Sequence, residues 1–144
     1  MDAISFLVSE HNKVRKTLNE IANINFSDDK RQPMFESLCN ELIRHEAMEH
    51  KVWYPCFKDN AKLDSTVKHL LREEKSAERA IKEFNDIKTQ QEWEEKFARF
   101  KNNVIHHAEE EENKLFPQVK SLLDHNELEL IGERMSRFKN KYDA

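Results

Sequence analysis

A chain of 144 residues is one domain's worth of polypeptide, and its single glycine and three prolines leave little from which to build β-turns and bulges. Charged residues make up 36% and hydrophobic ones 38%, the balance of water-soluble helices with one solvated face and a narrow apolar stripe. The formal charge of −4 arises from interspersed signs, which argues against nucleic-acid binding or attraction to an anionic membrane, and no apolar run approaches the ~18 residues of a membrane span.

A first helix is predicted from about Asp2, an N-cap, to about Asn23, with Ile4, Leu7, His11, Val14, Leu18 and Ile21 on one stripe. Its start, MDAISFLVSEH, has no basic segment and soon meets acidic and His residues, so no signal peptide is expected and a cytoplasmic location is. After the turn-like NINFSDDKRQ, a second helix from about Pro33 aligns Leu38, Leu42, His45, Glu49, Val52 and Cys56. A third runs from near Asp64 to near Lys88. Thr89 with Glu92 is a capping-box signature for the fourth, which carries Trp93, Phe97, Phe100, Val104, His107, Glu111 and Lys114. Pro55 and Pro117 close aromatic-rich ends and kink or stop their helices. Asp124, with Glu127 three residues on, caps a short fifth helix whose edge is Leu128, Ile131, Met135 and Phe138. The expected architecture is all-α and a single domain over 1–144. It is an up-down-up-down antiparallel four-helix bundle over about 2–120, with the C-terminal helix over about 124–140.

The chain repeats itself. HEAMEHKVWYPCFK at 45–58 aligns without gaps on HAEEEENKLFPQVK at 107–120, an offset of 62, so that a His, the Glu four later, a Pro and a Lys coincide. Upstream of each copy lies a helix with one His, His11 before the first and His69 before the second. Two helical hairpins about a pseudo-two-fold axis are the expected arrangement.

His followed by Glu at i+4 puts imidazole and carboxylate on one helix face, one turn apart. Such pairs arise by chance in a chain this rich in acids; His45-Glu49 and His107-Glu111 stand out because they occupy inward stripes. Burying them among Leu, Phe and Val costs several kcal/mol for each uncompensated ion. The stripes of the first two helices hold no Lys or Arg, and Lys114 joins the fourth one turn beyond Glu111. A pair of metal ions would compensate, and imidazole with carboxylate suits iron, zinc or manganese. His11 by itself reads more often as a satisfied core histidine, and His69, at the margin of its apolar arc, has a surface reading as the lesser alternative; the internal symmetry moves both toward a ligand reading. His50, His106 and His125 fall off the stripes and read as solvated.

Other chemistries find no support. No Glu precedes a His by three residues, so the Glu-x-x-His of ferritin-like bundles is absent, and HEAME has Glu where a zinc-protease motif needs its second His. No Ser or Cys nucleophile arrangement stands out, and glycine is too scarce for a phosphate-binding loop. Cys39 and Cys56, some 25 Å apart on one helix at 1.5 Å rise per residue, are out of disulfide reach and are expected as small buried hydrophobes.

Through His11, HEAMEHKVWYP at 45–55, His69 and HHAEEEENKLFP at 106–117, the sequence resembles the hemerythrin family, specifically the bacterial hemerythrin-like HHE cation-binding domains, over about residues 3–120. The resemblance implies a non-haem di-iron centre, two iron ions with an oxo or hydroxo bridge. It implies His11, His45, His69 and His107 as terminal ligands and Glu49 and Glu111 as bridges, with Glu46 and Glu73 as additional candidates. The chain departs from the oxygen-carrying members in two ways. Glu73 stands where they have a further His one turn after the helix-three ligand, and Glu111 follows its His by four residues where theirs follows by five. An anionic oxygen donor in place of a neutral imidazole favours the ferric state and lowers the reduction potential.

The function expected on this resemblance is binding of dioxygen or a related small ligand, nitric oxide or peroxide, for sensing, storage or redox response. Trp93, Phe97, Phe100 and Leu42 are candidate walls of an apolar pocket. The alternatives are a peroxidase- or oxidase-like enzyme in which Glu46 or Glu73 moves protons, and an iron-handling or cluster-repair protein. A metal-free helical interaction module would have to leave six inward polar groups uncompensated. The expected state is a monomer or weak homo-oligomer. Because the chain ends soon after the bundle, any signal is expected to pass to a separate protein partner or to be read as chemistry at the metal.

Overall fold

Asp2 accepts a hydrogen bond from the Ser5 amide at 2.8 Å and so starts α1 (Ala3–Ala22) as its N-cap. In the computed structural model, which describes residues 1–142, the other helices begin in the same way or after a turn. Helix α2 (Arg31–Met48) follows the turn at Asp28, slightly ahead of the expected Pro33. Asn60 caps α3 (Ala61–Glu83) by accepting from Lys62, three residues before the expected Asp64. Thr89 caps α4 (Gln90–Glu110) through Glu92, and Asp124 and Glu127 form a reciprocal capping box on α6 (His125–Lys141). No helix among the described residues is long and apolar enough to cross a membrane.

Helices α2 and α4 do not stop at their prolines. Each passes first through one wide, π-type turn, Glu49–Trp53 after α2 and Glu111–Leu115 after α4. The Tyr54 amide donates to the Glu49 carbonyl and the Phe116 amide to the Glu111 carbonyl, five residues back, immediately before a residue that has no N–H to donate. A turn of this kind holds more residues, so side chains four apart stay on one face. His45, Glu49 and Trp53 therefore all point inward, as do His107, Glu111 and Leu115, and both Trp53 and Leu115 are fully buried. After the wide turn, α2 tightens into a 3-10 turn, Tyr54–Phe57, and α4 continues as α5 (Phe116–Leu122). The 3-10 turn buries Tyr54 and Phe57 and turns Cys56 outward. This corrects the expectation of two buried thiols: Cys39 is buried and Cys56 exposed.

Two apolar clusters define the direction of the helices. One joins Ala3, Ile4 and Leu7 at the start of α1 to Met48, Trp53 and Phe57, to Leu63 and Leu70 at the start of α3, and to Leu115, Phe116 and Val119. The other joins Leu18 and Ile21 at the end of α1 to Phe35 and Leu38 at the start of α2, to Ile81 and Phe84 at the end of α3, and to Trp93, Phe97 and Phe100 at the start of α4. Starts and ends alternate between the clusters, as an up-down-up-down antiparallel bundle requires. Helix α6 lies along α1 and α2 and seals the first cluster with Leu128, Ile131 and Met135. Its Gly132, the chain's lone glycine, is where it crosses the N-terminal backbone. The plane between the two clusters is polar.

Candidate metal centre

Five acidic or imidazole side chains on the four bundle helices are buried outright: Glu10, His11, Glu49, Glu74 and Glu111. His45 and His107 join them with side chains 12% and 18% exposed. Of these, His11, His45 and Glu111 offer ligand atoms within 4.8 Å of one another, and so do Glu49, Glu74, His107 and Glu111. Glu111 belongs to both groups. Glu49 belongs to the second and also places Oε1 3.0 Å from His45 Nε2 in the first. The two i+4 carboxylates thus stand between the groups, with His11 and His45 on one side and His107 and Glu74 on the other.

Each inward imidazole is held from behind by a carboxylate on its Nδ1. The distances are 2.7 Å from His11 to Glu112, 2.9 Å from His45 to Glu10, and 3.0 Å from His107 to Glu73. A carboxylate only accepts, so Nδ1 donates outward and Nε2 points to the centre, the anchoring that orients metal-binding histidines. His11 Nε2 lies 3.4 Å from Glu111 Oε1, and His107 Nε2 lies 3.4 Å from Glu74 Oε2. Two of the outer carboxylates are anchored in turn by cations. Arg15 makes a two-pronged contact with Glu112 at 2.9 and 3.0 Å, and Lys139 from α6 reaches Glu10. Tyr54 adds a buried hydroxyl 3.0 Å from both Glu74 Oε2 and Glu111 Oε2, and His50 Nε2 meets Glu74 Oε1 at 2.8 Å. The inward cation that would neutralise the centre is not supplied by Lys114, which is 63% exposed.

Protein groups alone leave this plane unsatisfied. Glu49 Oε1 and Oε2, Glu111 Oε1 and His107 Nε2 are buried without an aligned hydrogen bond among the described residues, although three of them have a polar neighbour at 3.0–3.4 Å. Orphaned buried acceptors of this kind cost free energy that native proteins ordinarily avoid. Protons offset part of the charge: burial, with Glu111 and Glu74 close by, pushes the Glu49 carboxyl well above its ordinary range. Burial works to raise Glu74 too, but His107 and His50 outweigh it and hold that carboxyl low. Burial works against protonation of His107, yet Glu74, Glu111 and Glu73 raise its pKa to about 9. Cations at the centre would take the place of these protons. The donor set, three imidazole nitrogens and three carboxylates with no thiolate, fits iron, manganese or zinc.

The sequence-predicted residues divide accordingly. The structure brings together His11, His45, Glu49, His107 and Glu111. It does not bring in His69, which is 47% exposed and bonds to Glu110 on the outer face of α3 and α4. Glu73 serves as the outer partner of His107, and Glu46 lies beside the centre on the wall of a cavity. Glu74 takes the α3 position in the cluster, and its signal was available. Leu63, Val67, Leu70, Glu74, Ala77, Ile81 and Phe84 run at alternating spacings of four and three, with one acid in an otherwise apolar stripe. The line through His69, Glu73, Ala80 and Ile87 is its neighbour. The cavity, about 230 Å³, opens onto Glu49, Glu74 and His107 between α2, α3 and α4, with Leu42, Ala77, Ala80, Phe100 and Val104 as apolar wall. Trp93 and Phe97, expected as walls, belong instead to the apolar cluster beyond it.

A family model described as "Hemerythrin HHE cation binding domain" matches residues 2–119. Among solved structures, a hemerythrin HHE cation binding domain-containing protein from Mycobacterium kansasii superposes with a TM-score of 0.83 at 23% identity. The match covers 97% of this chain and 88% of that one. At that identity the likeness speaks for the fold. Comparison with curated proteins finds no match.

Proposed function

The chain belongs to the hemerythrin HHE cation-binding domain family, and from that premise we propose that its buried polar plane holds two iron ions and that the protein binds dioxygen, nitric oxide or peroxide there. His11 and His45 would hold one ion, His107 and Glu74 the other, with Glu49 and Glu111 between them. The observation that carries this reading is the set of four buried donor atoms left without aligned hydrogen bonds, among imidazoles whose Nδ1 atoms are already committed outward. Bound iron supplies redox chemistry and an open position for a small ligand. The residues do the rest. Leu42, Phe100 and Val104 keep the approach apolar, and its 230 Å³ admits small molecules only. Glu74, an anionic donor on α3, favours the ferric state over a neutral imidazole there, which suits a sensor or redox-responsive centre better than a reversible carrier.

A second reading, turnover of hydrogen peroxide, is favoured by one residue. Glu46 lines the cavity, and burial together with Glu78 and Glu74 raises its pKa to about 9, so it holds a proton near neutral pH beside the centre. Peroxide turnover lost in Glu46→Gln with iron content unchanged would favour the enzyme.

Elemental analysis and a visible spectrum of protein purified without added metal test the main reading. About two irons per chain with bridge-to-iron charge-transfer bands are expected. A single zinc, or no metal, overturns it.

A further inference from the structure

Outside the buried plane, α3 and α4 present two matched pairs to one another. His69 and Glu73 stand one turn apart on α3, and His106 and Glu110 one turn apart on α4. His69 Nε2 lies 2.9 Å from Glu110 Oε2 and 3.7 Å from Glu73 Oε2, while His106 Nε2 lies 3.0 Å from Glu110 Oε1. Ligand atoms of His69, Glu73 and Glu110 fall within 4.8 Å of one another. With bonds of about 2.0–2.2 Å to nitrogen and oxygen, a single ion needs donors at about this spacing. The side chain of Glu110 is only 11% exposed, whereas those of His69 and His106 are 47% and 61% exposed. The acid therefore lies at the base, and the two imidazoles stand on its solvent side. Lys114 approaches Glu110 Oε1 at 3.4 Å from the solvent side and leaves Oε2 to His69.

This cluster is connected to the buried one. Glu73 divides its oxygens, Oε1 accepting from His107 Nδ1 at 3.0 Å and Oε2 facing His69. The 230 Å³ cavity is lined both by the exposed His106 and partly exposed Glu73 and by the buried Glu49 and Glu74 with His107, while His69 and Glu110 lie next to that lining rather than in it. A hydrated ion entering an apolar-walled cavity must shed water, and donors at the mouth replace that water before the deeper ones are reached.

We propose that His69, His106, Glu73 and Glu110 form an outer site for a first-row divalent cation, ferrous or zinc ion, and that it stages ions for the buried centre through this cavity. The staging role rests on reading the buried plane as a metal centre; the outer site does not. Two imidazoles and two carboxylates are a donor set for such ions, and their exposure makes the binding weaker and faster than at the buried donors.

The test is titration of the metal-free full chain with cobalt(II), read by calorimetry and visible absorption, with stopped-flow absorption for the rate of filling. The chain is expected to take two tight equivalents and a weaker third. His69→Ala/His106→Ala, at exposed positions and with its fold checked by circular dichroism, is expected to keep the two, lose the third and fill several-fold more slowly to the same endpoint. Where two tight equivalents bind, absence of a third in the unmodified chain, or its persistence in the variant, overturns the outer site. An unchanged filling rate with the third equivalent lost overturns staging. Uptake of one equivalent only, lost in the variant, supports the outer site and overturns the reading of the buried plane instead.

Discussion

His45 Nδ1 lies 2.9 Å from Glu10 Oε1, and Lys139, near the far end of the C-terminal helix, reaches the other oxygen of the same carboxylate. A helix outside the four-helix bundle thus has a hand in orienting an imidazole of the buried plane. Burial works to raise the Glu10 pKa, but His45 and Lys139 overcome it and hold it at about 2, below its ordinary 4.5. For a lowered carboxyl the stabilisation is complete above the ordinary value and is lost as pH falls from about 4.5 through about 2. Glu10→Gln is expected to weaken metal retention by about 10–100-fold, the usual effect of removing such an outer partner. Lys139→Met should act in the same direction by less. Competition against a chromophoric chelator measures both, and unchanged affinity in the two variants would detach α6 from the site.

The docking of α6 depends on Gly132. A Cβ there would stand 2.3 Å from the Met1 carbonyl oxygen, 2.8 Å from the Asp2 carbonyl carbon and 2.9 Å from the Ala3 nitrogen, all backbone atoms that cannot swing aside. Alanine improves helix propensity by about 1 kcal/mol, whereas forced separation of packed backbones costs about 1–3 kcal/mol, and here the clash should win. Gly132→Ala is expected to lower stability in denaturant titration. It should also weaken metal retention by drawing Lys139 from Glu10, an effect with no counterpart in a helix that merely covers the core.

The helical pattern, the caps at Asp2, Thr89 and Asp124 and the inward faces of α1, α2 and α4 were legible because each follows a local rule: periodicity, a side-chain acceptor at N-cap, or a repeated His-Glu pair. On α3 the expectation and the structure differ, for His69 lies outside the buried plane and Glu74 within it. Symmetry with His11 drew attention to His69, while the alternating spacing from Leu63 to Phe84 placed Glu74 inward, and packing follows the apolar stripe. The wide turns at Glu49 and Glu111 were hidden for another reason. The prolines at 55 and 117 signal a break, but whether a helix ends there or widens before it is decided by tertiary burial of Trp53 and Leu115. Glu10, Glu112, Arg15 and Lys139 support the imidazoles across the bundle, at sequence separations no local pattern reports.

Glu46 should give the protein a pH dependence of its own. Burial, Glu78 and Glu74 raise its pKa from 4.5 to about 9, so the folded chain keeps a proton that the unfolded chain releases. For a raised carboxyl, the folded state loses stability relative to the unfolded one as pH climbs from about 4.5 through about 9. Glu46→Gln removes that loss. The variant is expected to equal the unmodified chain near pH 4 and to exceed it by about 1 kcal/mol or more at pH 8. Denaturant titrations at the two pH values, both with chelator present, decide it; equal stability differences at both would show that Glu46 titrates normally.

Glu74 is where the chemistry of the centre should be most sensitive. Its carboxylate is 2% exposed, faces His107 Nε2 at 3.4 Å and shares Tyr54 with Glu111, so it contributes negative charge where the ferric state is favoured. Glu74→Gln keeps the shape and an oxygen donor but removes the charge. It should therefore raise the reduction potential of the iron-loaded protein and slow reoxidation of the reduced form in air. Glu74→Ala should go further and lose metal from the His107 side, since one of that side's two terminal donors is gone. Tyr54→Phe, which removes only the hydroxyl, should cost about 1–2 kcal/mol in stability and leave the metal content intact. Spectroelectrochemical titration with metal analysis separates the three variants. If Glu74→Gln leaves the potential where it was, the carboxylate does not act on iron, and its burial beside the imidazoles of His50 and His107 would need another cause.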